Sequence, residues 1–245
     1  MDAPTPPHEA PKPKWQPVTA IERRLLGALV EKAKTVPESY PMTLAGLCTA
    51  ANQKNNRFPL MQLEPEQLET PLEHLRNLGA VGLVQGSGRV EKFRHYLYDW
   101  LGVDKVEMAV MTELLLRGAQ TEGELRQRAS RLEPIADLTT LRNVLDGLRR
   151  KGLIVSLTPD GRGHVLTHNL YEPRELEKLK REHEGVGFST STGDEPTPAT
   201  PTVAPAASHA ASEDLRQLIA GLRHDVDDLR AQLRLVRDEL TALRG

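Results

Sequence analysis

The chain has 245 residues, a formal net charge of −2, 38% hydrophobic residues and only 4% aromatics. That length suits one large or two small domains of roughly 100–200 residues with an aliphatic core, and the charge gives no global pull toward nucleic acid or an anionic membrane. One cysteine, Cys48, excludes an internal disulfide framework and a multi-cysteine metal site, and no run reaches the ~18 apolar residues of a membrane helix.

Residues 1–17 contain six prolines and no apolar run, so they read as a disordered tail and not as a signal peptide. Periodic apolar patterning then fills residues 18–184, and it repeats. Ile21, Leu25, Leu26 and Leu29 share one helix face, as do Val106, Val110, Met111 and Leu114 in a second copy. Thr19 with Glu22 three residues on forms a capping-box signature. A short second helix follows in each copy, from Leu44 to about Asn52 and from Glu122 to about Ser130, with Thr43 and Thr121 as N-caps.

The third helices run through Leu72–Leu78 and Leu138–Leu148 and end at Gly79 and Gly152, each followed by an apolar strand. In the first, Pro71 removes one helix hydrogen bond. Either a longer helix starting near Pro65 is kinked there, the preferred reading, or the helix begins at Pro71 with Thr70 as cap. Gly-rich tips at Gly86–Gly88 and Gly161–Gly163 suit hairpins. The order of helices, strand, turn and strand predicts two tandem winged helices, at 18–98 and 104–171, in a mainly α fold with small β wings. A trailing helix follows over 173–184, with Pro173 at its start.

Residues 185–211 are rich in Ser, Thr, Pro, Gly and Ala and read as a disordered linker. Residues 212–245 carry an unbroken heptad seam, predicting a coiled coil. The a positions are Ile219, Val226, Leu233 and Leu240; the d positions are Leu215, Leu222, Leu229, Val236 and Leu243. Every e position is arginine, from Arg216 to Arg244, and Asp225 and Glu239 at g would meet Arg230 and Arg244 of a parallel partner. Self-association as a parallel dimer is expected, with a trimer as the other possibility and packing back on the chain's own domain as the other use of such a face.

The segments Leu25-Leu26-Gly27-Ala28-Leu29-Val30-Glu31-Lys32, Tyr40-Pro41, Cys48 through Arg57 and Leu114 through Ala129 are similar to the YceH family of uncharacterised bacterial proteins. The similarity spans roughly residues 18–170. It implies a tandem winged-helix fold and supplies no activity or catalytic residue to carry over.

Contact residues follow from the winged-helix reading. The third helix of the second copy would bury Leu138, Leu141, Leu145 and Leu148 and turn Arg142 and Asn143 outward, both suited to base edges. Arg126, Arg128 and Arg131 are candidate phosphate contacts, and Arg149, Arg150 and Lys151 end the helix, where they also complement its dipole. In the first copy the candidates are Lys54 and Arg57 in a polar loop and Arg89, Lys92, Arg94 and His95 around the wing, whereas its third helix is acidic. Residues 18–97 hold 10 basic and 8 acidic side chains and 98–184 hold 14 and 15, a weak balance for phosphate neutralisation.

Double-stranded DNA is therefore one expected partner and another protein the alternative. Cys48 lies on a core face, His164 and His168 sit too far apart along a hairpin to chelate one metal, and no phosphate loop follows a strand. An enzyme, a cofactor and a membrane partner are not expected, and a cytoplasmic location is.

Overall fold

A computed structural model describes residues 13–85, 90–161 and 163–184. The described chain is mainly helical, with two three-stranded antiparallel sheets. The first half comprises α1 (Ala20–Thr35), a single 3-10 turn (Pro37–Ser39), β1 (Met42–Thr43), α2 (Leu44–Ala51), α3 (Glu66–Asn77), β2 (Val81–Gln85) and β3 (Glu91–His95). A short helix, α4 (Leu97–Leu101), leads into the second half. That half holds α5 (Lys105–Arg117), β4 (Gln120–Thr121), α6 (Glu122–Ala129), α7 (Leu138–Arg150), β5 (Ile154–Ser156) and β6 (Val165–His168). The trailing helix is α8 (Pro173–Glu184).

The two halves repeat one topology. The sheet orders are β1-β3-β2 and β4-β6-β5. In each, a two-residue strand pairs with the outgoing hairpin strand, Met42 opposite Phe93 and Gln120 opposite Leu166. The last residue of that strand is the threonine that caps the next helix: Thr43 accepts from the Gly46 N–H, and Thr121 from the Glu124 N–H. One residue thus ends a sheet ladder and satisfies an orphan helix donor. The caps were predictable; the strands they terminate were not, because two residues carry no periodic signal.

The helix boundaries follow local chemistry. Thr19 and Glu22 form the predicted capping box of α1, and Asp104 and Glu107 form an equivalent one on α5. Each of these glutamates also reaches its own half's third helix or its end: Glu22 bonds His74 Nδ1 at 2.5 Å, and Glu107 takes Lys151 Nζ at 2.5 Å. Gly147 makes room for the second, since a Cβ there would lie 2.8 Å from Glu107 Oε1. The α3 helix runs through Pro71 from Glu66, as the longer reading has it. Gly79 and Gly152 adopt φ of +72° and +69°, and the following N–H groups of Ala80 and Leu153 bond back to Leu75 and Leu148. That is the left-handed helix stop the sequence predicts.

One aliphatic core runs through both halves. Its centre is the contact of α1 with α5. Every residue from Glu22 to Glu31 and from Glu107 to Leu116 is buried, so these two helices lie inside the molecule on nearly all sides. Gly27 sets their approach: a Cβ there would fall 2.8 Å from the Leu116 side chain.

Trp15, in the segment expected to be disordered, packs against the core, and the Val18 N–H donates to the Leu170 carbonyl. Leu138 departs from its predicted burial. It is 39% exposed, because it is the first residue of α7 and the inward stripe starts one turn later at Leu141. Residues 1–12, the Gly86–Arg89 hairpin tip, Arg162, the linker and the heptad segment lie outside the described residues. Among the described residues, no helix is long and apolar enough to cross a membrane.

Candidate nucleic-acid interface

The candidate surface centres on α7. Asp137 starts this helix by accepting the Thr140 N–H at 2.7 Å. Leu141, Leu145 and Leu148 are fully buried and fix its rotation, so Arg142 and Asn143 face solvent, as the sequence predicts, together with Asp146 and Arg150.

Most cations here already have intramolecular partners. Arg142 Nε lies 2.9 Å from Glu122 Oε2 at the start of α6, yet its side chain stays 59% exposed. The other Glu122 oxygen meets His164 Nδ1 at 3.0 Å. Burial alone would raise the Glu122 carboxyl, but the His164 and Arg142 bonds outweigh it and hold the carboxyl below its usual range. Arg149 bridges Asp146 at 3.2 Å and Asp160 at 3.4 Å, linking the end of α7 to the hairpin. Arg126 donates to the Ala136 carbonyl at 3.2 Å, and Arg128 to Gln120 at 2.8 Å and Glu124 at 3.3 Å. Arg150 and Asn143 make no side-chain hydrogen bond or ion pair among the described residues.

Two predicted contacts belong to an internal ion cluster, and the burial of one of them, Arg57, corrects the sequence reading. Arg57 is 4% exposed; it pairs with Glu31 at 2.5 Å and donates to the Ala50 carbonyl. Arg131 is held by Glu31 at 2.8 Å and Glu113 at 2.6 Å. Burial raises the Glu31 carboxyl, but Arg57 and Arg131 more than offset this and hold it low. Both arginines cross-link the molecule; Arg57 is buried away from any ligand, whereas the Arg131 side chain stays 30% exposed.

The polar run Asn52–Arg57 is likewise taken up internally. Asn52 bonds both backbone groups of Leu63, Gln53 accepts from Lys32 and Arg57, and Asn56 adopts φ +60° while accepting from Arg117. Lys54 alone among its cations faces solvent.

On the first hairpin, Lys92 and Arg94 are exposed, with Arg94 stacked 5.3 Å over Tyr96; Arg89 lies outside the described residues. His95 is drawn inward between Tyr40 and Tyr98. The outward face of α3 carries Glu66, Glu69 and Glu73 against Arg76.

Cys48 is buried, donates to the Leu63 carbonyl, and has its thiol pushed up by burial, with Glu64 and Glu66 adding to it. No group of His, Cys, Asp and Glu among the described residues is placed to hold a metal.

This geometry is carried by a recognisable sequence. Residues 18–162, covering both halves up to the second hairpin, match the family described as "Protein of unknown function, DUF480". The chain belongs to the DUF480 family. A relative from Rhodopirellula baltica, a UPF0502 protein, is 51% identical over 179 residues, covering 71% of this chain and 75% of the relative. UPF0502 proteins from Geotalea uraniireducens and Geobacter sulfurreducens are each 45% identical, over 132 and 131 residues, covering 54% of this chain and 60% of each relative. The DUF480 match is the family the sequence resembled. It contains α1 through α7, and so both the α7 face and the Glu31–Arg57–Arg131–Glu113 cluster, whereas α8 and the heptad segment lie beyond it.

Sequence reasoning missed that cluster for a definable reason. Glu31 and Glu113 look like surface charges on amphipathic helices, and only the burial of α1 and α5 against each other places them inside.

Proposed function

We propose that the chain is a tandem winged-helix regulatory protein that binds double-stranded DNA through α7, with residues 212–245 joining two copies as a parallel coiled coil. The observation that carries this reading is the α7 face: Arg142, Asn143 and Arg150 point to solvent on the helix that follows α6, in the position of a recognition helix. The element order, with a hairpin after the third helix, supports the winged-helix assignment.

The intramolecular pairs of Arg142 and Arg149 do not oppose the reading. Pairs this exposed are worth about 0–1 kcal/mol, so their exchange for phosphate is cheap. Arg126, Arg128, Lys92 and Arg94 supply further phosphate contacts, and the buried Arg57 drops out. A tether as long as residues 185–211 between the halves and the coil would add avidity without fixing a half-site spacing.

Fluorescence anisotropy with a random-sequence duplex tests this. Wild-type protein should bind at low salt, and Arg142→Glu with Arg150→Glu should weaken binding by roughly tenfold or more at about 1–3 kcal/mol for each contact.

One observation favours a second reading, a protein-interaction scaffold. A groove of about 740 Å³ runs between the start of α2, α3 and β3. Its floor includes Leu72 and Phe93, and three carboxylates, Glu69, Glu73 and Glu91, outnumber the one arginine, Arg76, in its lining. Such a groove repels phosphate and suits a basic peptide. If the duplex assay fails and a basic amphipathic peptide binds, this reading replaces the first.

A further inference from the structure

Arg24 is the odd arginine of this molecule. It lies in the second turn of α1 and is 1% exposed. Arg23, Arg57, Arg117 and Arg131 are each paired with a carboxylate. Arg24 has none among the described residues. Its Nη1 and Nη2 donate to the Ala51 and Pro59 carbonyls, and its Nε is buried without an acceptor. Burial, with Arg57 nearby, pushes the guanidinium down to about 10, so it is still charged at neutral pH. Ala51 ends α2, and the helix dipole there offers at most about half a negative charge. A buried cation without a counter-ion is expensive, and such a group calls for a partner.

The place for that partner is open. Arg24 lines a cleft of about 390 Å³ where α1, the Phe58–Met61 loop, the end of α5 and α8 converge. Apolar groups from Phe58, Leu115 and Leu179 supply much of its wall, and Phe58 is 70% exposed. Tyr171 stacks on His168 at 4.0 Å along the same wall. His168 is buried and neutral, and its Nδ1 accepts the Leu170 N–H, so its remaining proton sits on Nε2 as a further donor. Of the lining charges, Arg23 is matched by Glu175, Arg117 by Glu113 behind it, and the carboxylate of Glu182 by Lys178 at 3.9 Å on the outer face of α8.

We propose that this cleft binds a small organic monoanion: a carboxylate on an aromatic or branched aliphatic body, with the carboxylate at Arg24 and the body against Phe58, Leu115 and Leu179. The single uncompensated cation sets the charge at one, and the apolar wall disfavours a bare phosphate. The cleft joins α1 of the first half to α5 and His168 of the second, so an occupant ties the halves together and stabilises the fold by mass action. The inference does not depend on DNA binding.

The test is thermal unfolding and calorimetric titration of the full chain with 1-naphthoate, phenylacetate and 4-methylpentanoate, each against its neutral amide, with inorganic phosphate as a further probe. At least one carboxylate should raise Tm saturably while its amide and phosphate do not. Leu179→Glu, which places an internal carboxylate at the cleft, should weaken that carboxylate at least tenfold without lowering Tm, and Phe58→Ser at the exposed rim should also weaken it. No saturable shift with any carboxylate, an equal shift with the amide or with phosphate, or unchanged binding in folded Leu179→Glu and Phe58→Ser would each overturn the proposal.

Discussion

Arg131 Nη1 lies 2.8 Å from Glu31 Oε1, tying the segment after α6 in the second half to α1 in the first. The same arginine holds Glu113 on α5, and Glu31 is held from its other side by Arg57. Four side chains from four segments thus close around the contact of the two central helices.

Breaking this cluster should cost stability. Glu31→Gln or Arg57→Ala leaves a buried charge without its partner, a loss of about 3–5 kcal/mol. Arg131→Ala should cost less, because its side chain is 30% exposed. Arg142→Ala, on an exposed pair, should shift stability by under about 1 kcal/mol. Chemical denaturation of the four variants checks this order; equal, small losses throughout would contradict it.

The Gly27 contact predicts an overpacked crossing. Gly27→Ala gains about 1 kcal/mol of helix propensity but drives a methyl into Leu116, which is fully buried. Overpacking of about 1–3 kcal/mol should win, giving net destabilisation. Leu116→Ala removes the obstacle, so the double variant should be more stable than the two single losses sum to. Strict additivity in a double-mutant cycle would show that Gly27 does not set the approach.

How much of this was legible in the sequence depends on the reach of the forces involved. The caps at Thr19, Thr43 and Thr121, the stops at Gly79 and Gly152, and the inward leucines of α7 are local, and the sequence shows them. The strands ending at Thr43 and Thr121 exist only because Phe93 and Leu166 arrive from far along the chain to pair with them. The same distance hid the fate of Arg57 and Arg131. A charged residue in a loop reads as solvent-facing until the carboxylate that buries it is placed, and Glu31 belongs to an element far from Arg131 in sequence. The outward placement of Arg142 and Asn143 was readable because one helix face settles both.

The half-buried His95 and the buried His168 make stability depend on pH in a defined window. Burial, with Arg94 and Lys34 nearby, lowers His95 to about 4, and burial with Arg23 nearby lowers His168 well below its usual value. The unfolded chain takes up these protons near pH 6.5, whereas the folded chain resists them. Stability should therefore be full above about pH 6.5 and decline as pH falls toward 4, before the low-lying carboxylates titrate. Denaturation as a function of pH checks this, and His95→Gln should flatten part of the decline. A stability independent of pH over that interval would contradict it.

The heptad segment carries its own prediction. A peptide of residues 212–245 should sediment as a dimer, and Leu222→Lys with Leu229→Lys should make it monomeric. A monomer for the unsubstituted peptide at high concentration would remove self-association from the account.

The most direct measurement of the central claim is the salt dependence of duplex binding by the full chain. If Arg126, Arg128, Arg149, Arg150, Lys92 and Arg94 neutralise phosphates while Arg142 meets a base edge, log K should fall linearly with log salt with a slope of about −5 per copy, since each neutralised phosphate contributes roughly −0.9. The Arg142→Glu/Arg150→Glu variant should show a shallower slope and weaker binding at every salt concentration. No duplex binding at low salt, or a slope that this variant leaves unchanged, would contradict the assignment of α7 as the DNA-contacting helix.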